Sequence, residues 1–112
     1  MSRITTHILD TTKGKPAQGV GVVLYQQSKE EWTEIARGTT DKDGRIAELL
    51  NKELLPERGI YKMRFETQEY FDRQGIKTFY PFAEISFHIT ANEHYHIPLL
   101  LNPFGYSTYR GS

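Results

Sequence analysis

Four histidines come first, because imidazole is the side chain that gives and takes protons near neutral pH. His94 and His96 stand two apart in a segment that alternates like a strand, so they project from one face with Tyr95 on the other. Such a pair binds zinc when a third ligand converges, and His7 could supply it. The plainer alternative is two strand histidines bonded to neighbours or water, and spacing alone favours that. No carboxylate is placed as a further ligand and the chain has no cysteine, so metal-free chemistry ranks above a metal site. Arg45, in Asp43-Gly44-Arg45, carries a planar fork suited to a flat ligand with carbonyl or urea-like groups. Composition alone favours a solvated arginine after a turn. The final run, Tyr106-Ser107-Thr108-Tyr109-Arg110-Gly111-Ser112, offers hydroxyls, a cation and a carboxylate. No P-loop, dinucleotide fingerprint or Gly-x-Ser-x-Gly elbow occurs.

Short alternating segments separated by turn residues must position these groups, which predicts an antiparallel sandwich. From Arg3 to Leu9, His7 and Leu9 share one face, and Ile4 and Ile8 the other. Lys13-Gly14-Lys15-Pro16 reads as a loop, after which Val20, Val22 and Leu24 point one way and Val23 and Tyr25 the other. Trp32 to Thr40 fits a third strand, closed by Asp41-Lys42-Asp43-Gly44, with Arg45 opening another short strand. Tyr61, Met63 and Phe65 alternate inward, as do Ile85, Phe87 and Ile89. His94 to Leu101 and Gly105 to Arg110 complete the set. One short helix is expected, with Thr67 as N-cap and Gly75 at the left-handed C-terminal position. Seven or eight short strands and one small helix result.

At 112 residues the chain is expected to form one domain over 1–112. Its small core gives marginal stability, which subunit pairing would raise. Fourteen basic residues balance fourteen acidic ones, which argues against nucleic acid as a partner. The absence of cysteine excludes disulfides and a thiolate nucleophile. The start lacks the apolar run of a secretory signal, and no stretch approaches the ~20 apolar residues that span a bilayer. The expectation is a cytoplasmic protein with no membrane partner and nothing removed from its start.

His7-Ile8-Leu9-Asp10, Gly14-Lys15-Pro16-Ala17 and Asp43-Gly44-Arg45 resemble the successive N-terminal motifs of the 5-hydroxyisourate hydrolases. His94-Tyr95-His96-Ile97-Pro98-Leu99-Leu100-Leu101 resembles that family's strongest internal block, and Ser107-Thr108-Tyr109-Arg110-Gly111-Ser112 its ending. The motifs run the length of the chain in the family's order. The resemblance implies an all-β, transthyretin-like sandwich of two four-stranded sheets with one short helix. Transthyretin itself, a hormone carrier of the same fold, has other residues where this chain has His7, Arg45 and His96, and lacks the Tyr-Arg-Gly-Ser ending.

By the same resemblance the chain opens the six-membered ring of 5-hydroxyisourate with water, giving 2-oxo-4-hydroxy-4-carboxy-5-ureidoimidazoline, without metal or cofactor. It implies a site lined by His7, Arg45, His96, Tyr109, Arg110, Gly111 and Ser112. His7 and His96 would hold and deprotonate the water, with the base left open between them. Arg45 would orient substrate and stabilise the developing oxyanion, and Ser112 would fix substrate or the histidines through its hydroxyl or terminal carboxylate. Members are homotetramers, dimers of dimers with sites at the dimer–dimer interface. Three other functions compete: a carrier that binds without turnover, a zinc site on His94 and His96, and a structural module in which residues 109–112 are dispensable.

Overall fold

The computed structural model describes residues 3–51 and 53–111. Eight strands and one helix follow in the order β1 (Ile4–Asp10), β2 (Lys15–Pro16), β3 (Gly21–Ser28), β4 (Glu31–Thr39), β5 (Gly59–Phe65), α1 (Thr67–Asp72), β6 (Ala83–Ile89), β7 (Tyr95–Asn102) and β8 (Gly105–Thr108). They form two four-stranded sheets, ordered β2-β1-β7-β8 and β4-β3-β5-β6, the all-β sandwich expected.

Alternation builds the core. Ile4 and Ile8 of β1, Val22 and Leu24 of β3, Tyr61, Met63 and Phe65 of β5, and Leu99 and Leu101 of β7 are all buried between the sheets. Each large apolar side chain removed from water in this way stabilises the fold by about 1.5–3 kcal/mol. Polar groups on the inner faces are bonded. Thr6 donates to the Ile97 carbonyl at 2.6 Å, and the Tyr70 hydroxyl, on α1, donates to Asp10 Oδ2 at 2.7 Å. Burial, then the bond to the Asp10 carboxylate, pushes the Tyr70 phenol up to about 12.

Sequence and structure part company at five places, one being the parallel pairing of β1 with β7 in a sandwich expected to be antiparallel. Lys15–Pro16, expected within a loop, pairs with Leu9 and Asp10 as an edge strand. Arg45 opens no strand and makes only an isolated bridge to His7. Thr67 is the first helical residue and buried, so Glu66 takes the N-cap position without a side-chain cap. The Glu66 carboxylate is paired with Arg64 Nε at 2.5 Å. β8 ends at Thr108, short of Arg110. Gly75 does take the left-handed position, φ 68°, and Ile76 N–H donates to the Phe71 carbonyl at 3.0 Å to close the helix.

One pairing matters most for function. β1 and β7 run parallel, with Thr5 beside His96 and His7 beside Pro98, whereas every other strand pairing in the two sheets is antiparallel. Ile4, Thr6, Ile8 and Asp10 are buried while Thr5, His7 and Leu9 are only half-buried, which turns His7 to the outer face.

Candidate active site

Thr5 and His7 on β1 and His96 on β7 emerge together on the outer face of the β2-β1-β7-β8 sheet. His94, just before β7, lies near-parallel to His96, with ring centroids 6.3 Å apart and planes at 20°. Between them sits the Thr5 hydroxyl, 2.9 Å from His94 Nε2 and 2.8 Å from His96 Nδ1.

A tight turn delivers Arg45. The Asp41 carboxylate accepts the N–H groups of Asp43 at 2.8 Å and Arg45 at 3.1 Å, and Gly44 N–H donates to the Asp41 carbonyl at 2.9 Å. The Arg45 and Asp43 amides hold the Asp41 carboxyl below its ordinary range. Ile8 N–H donates to the Gly44 carbonyl at 2.9 Å, which stitches this turn to β1 and sets Arg45 against His7. Gly44 has φ 74°, and a β-carbon there would stand 2.5 Å from the Ile8 carbonyl oxygen and 3.3 Å from His7 Cδ2. Only glycine fits that corner.

Beyond β8 the chain crosses His96, with Gly111 N–H donating to the His96 carbonyl at 2.9 Å. Arg110 turns elsewhere: its guanidinium pairs with Glu93 at 2.7 Å and lies over the Tyr95 ring at 4.8 Å. Tyr109 is exposed and lines a second, mostly apolar cleft of ≈ 300 Å³ beside Ile85 and Phe87. His7, Arg45, His96 and Gly111 are therefore brought together, while Tyr109 and Arg110 line a cleft that also includes His96. Ser112 is outside the described residues.

The electrostatics suit proton abstraction. Burial, and then the nearby His94, His7 and Arg45, hold the His96 imidazole below its ordinary pKa, so the neutral form that can accept a proton predominates at neutral pH. Beside it opens a cleft of ≈ 350 Å³ lined by Thr5, Arg45, Ile46, Ala47 and His94, within the range of small-molecule sites. A cleft of ≈ 340 Å³ under Lys13, Lys15, Lys42 and Arg73 is of similar size but is lined by no histidine. Among the described residues, no three His, Cys, Asp or Glu side chains converge as a metal-holding group. The nitrogens of His94 and His96 that face each other are instead engaged with Thr5.

Sequence reasoning missed Thr5 and Asp41. The parity that turned His7 outward turns Thr5 outward too, and an Asp at the start of an Asp-Lys-Asp-Gly turn is positioned to bond amides ahead of it.

A family model described as HIUase/Transthyretin family matches residues 4–111. The 5-hydroxyisourate hydrolase of Salmonella dublin is 49% identical, over 97% of this chain and 80% of that protein. The structure of Klebsiella pneumoniae 5-hydroxyisourate hydrolase matches with a TM-score of 0.85 at 39% identity, covering 97% of this chain and 98% of that one. Sea bream transthyretin in complex with thyroxine matches with a TM-score of 0.91 at 36% identity, covering 97% of this chain and 94% of that one. Of these two structures the carrier has the higher score. Backbone shape does not separate catalyst from carrier, and the side chains on the outer face must.

Proposed function

This chain belongs to the HIUase/Transthyretin family, and we infer that it hydrolyses 5-hydroxyisourate with the His7, Arg45 and His96 cluster as its catalytic centre. The observation that carries the site is that Arg45, bridged to His7, lines one cleft together with His96.

In the reaction, water adds to a carbonyl carbon of the six-membered ring and the adjoining C–N bond breaks. The product is 2-oxo-4-hydroxy-4-carboxy-5-ureidoimidazoline. His96 takes the proton from water as the C–O bond forms, and the leaving ring nitrogen receives a proton as the C–N bond breaks. His7 stands as the polar neighbour that holds the water. Arg45 orients the planar ring and faces the charge that develops on the attacked oxygen. Gly111 carries the C-terminal segment over His96, and Tyr109 and Ser112 are assigned to substrate binding. In this role Arg110 anchors the segment through Glu93.

A half-buried site on the outer face of a sheet needs a cover. A homotetramer, built as a dimer of dimers, supplies it by packing two such faces together. Exclusion of water there strengthens the Arg45 contacts. A folded, fully dissociated subunit with undiminished turnover would sink this part of the reading.

The likeness to a thyroxine-bound carrier sustains a second reading, binding without turnover. The deciding experiment follows the absorbance decay of freshly generated 5-hydroxyisourate against its spontaneous background, with a chelator present. Wild type should accelerate decay, and His96→Ala should lose about 10²–10⁴-fold of that acceleration. No acceleration by an assembled wild-type protein would favour the carrier.

A further inference from the structure

The Thr5 hydroxyl lies within hydrogen-bond distance of two imidazole nitrogens, yet it has one proton to donate. Because the hydroxyl oxygen has two lone pairs, both imidazoles can donate to it, which already places the His96 proton on Nδ1 and leaves Nε2 bare. Where Thr5 instead accepts from one histidine and donates to the other, two arrangements remain. In the first, His96 Nδ1–H donates to Thr5 Oγ1, and the Thr5 hydroxyl donates to a bare His94 Nε2. In the second, the chain runs the other way, from His94 Nε2–H through Thr5 to a bare His96 Nδ1.

The arrangements differ in what they leave at the far nitrogen of His96. A neutral imidazole carries one N–H, so the first leaves Nε2 bare and the second leaves it protonated. Only a bare Nε2 can take the proton of water. It can do so with the Thr5 bond intact, because Nδ1–H donates to Thr5 before and after Nε2 is protonated. In the second arrangement the sole free lone pair on His96 is already engaged by Thr5. Using it as a base would break that bond and leave the hydroxyl facing a new N–H.

We propose that Thr5 and His94 are positioning residues that lock His96 in its Nδ1-protonated tautomer, leaving Nε2 as the proton acceptor. This rests on the reading of His96 as the base. The lock has chemical purpose, since free histidine prefers the opposite tautomer, with the proton on Nε2. Thr5 is well suited to holding it. Its neighbour Thr6 is buried and bonded to the Ile97 carbonyl, and its strand is paired in register with His96, so the hydroxyl has little freedom to wander. With one hydroxyl proton, Thr5 can donate to only one of the two histidines. His94 then acts at one remove, fixing which way the Thr5 proton points.

The test reads the tautomer directly. Nitrogen-15 NMR of the assembled protein above neutral pH should show His96 Nδ1 as pyrrole-type and Nε2 as pyridine-type. Thr5→Val keeps the branched shape and removes the hydroxyl. It should move His96 toward the Nε2–H form and lower kcat about 10-fold or more, with KM changed less than about twofold. Thr5→Ser should restore both. His94→Ala gives an independent arm: it frees the Thr5 proton to turn toward His96 Nδ1, which shifts the tautomer the same way. Wild-type His96 found protonated on Nε2, or a Val variant with tautomer and kcat unchanged, would overturn the proposal. A locked tautomer in a protein without turnover would instead leave the positioning intact and remove the hydrolase reading.

Discussion

Gly111 lies so close over the imidazole of His96 that a β-carbon at position 111 would overlap Cδ2 and stand 3.1 Å from Cγ. The contact is held by the bond from Gly111 N–H to the His96 carbonyl. Glycine is needed here for space, so the smallest side chain should tilt the ring or lift the segment. Gly111→Ala is expected to lower kcat/KM by about 10²-fold, the scale of an ångström-sized misplacement. Its melting temperature should stay near wild type, because the segment covers the sheet from outside. Steady-state kinetics paired with thermal unfolding checks both halves.

The depressed pKa of His96 fixes the direction of two pH effects. Activity that needs neutral His96 should persist below the ordinary histidine value of about 6.5, with the acid limb of kcat/KM displaced downward. Stability changes in the same direction. Between the folded and unfolded values of this group the unfolded chain binds more protons, so stability rises with pH across that window. It is fully present above about 6.5 and is lost as pH falls through the folded value. A kcat/KM profile beside urea midpoints from pH 5 to 7.5 measures both. An acid limb above 6.5 would contradict the assignment.

Gly44→Ala should cost stability as well as activity. Position 44 combines φ 74° with a carbonyl oxygen 2.5 Å from where a β-carbon would lie. A non-glycine residue held in that region costs about 1–3 kcal/mol before any displacement of β1 is counted. Denaturant unfolding should show a lower midpoint with the slope unchanged. Since the turn carries Arg45, KM should rise in parallel.

The β3–β4 hairpin offers a change in the opposite sense. Ser28 pairs with Glu31 across a two-residue turn in which Lys29 and Glu30 have φ 51° and 68°. Both are left-handed, a conformation that Asn-Gly adopts with far less strain. Replacing the pair with Asn-Gly should stabilise the protein by roughly 1–2 kcal/mol and raise its melting temperature without changing turnover. An unchanged or lower melting temperature would mean the turn relaxes in solution.

That hairpin also shows why some of the fold was hidden from the sequence. Alternation exposed the strands whose inner faces are buried, such as Tyr61, Met63 and Phe65, because burial on one side leaves a period of two. Lys29-Glu30 carries no turn signature, and the tertiary pairing of two long strands overrides the local preference. Lys15–Pro16 is too short for any period to be seen. Thr67 looked like a cap because its residue type favours that position, whereas its burial at the first helical position depends on tertiary packing.

Much of the site was legible by face but not by neighbour. The sequence put His7 opposite Ile8 and His96 opposite Tyr95, and burial agrees. It carried no sign that β1 and β7 would lie side by side and parallel, so Thr5 had no visible partner. Arg45 was singled out for its chemistry, while the bond that fastens its turn to Ile8 is long-range and leaves no local trace.

The parallel pairing of β1 with β7 has a consequence for how the chain acquires its chemistry. Thr5 is separated by 89 positions from His94 and by 91 from His96. Loop closure across nearly the whole polypeptide must therefore precede any catalytic geometry, and no internal fragment holds both halves of the cluster. A chain still emerging from the ribosome is silent until β7 has been made. Closure entropy grows only logarithmically with loop length, so residues inserted into the exposed connections between these ends would lengthen that loop at small energetic cost. The cluster is thus sensitive to the integrity of both strands and tolerant of the length between them.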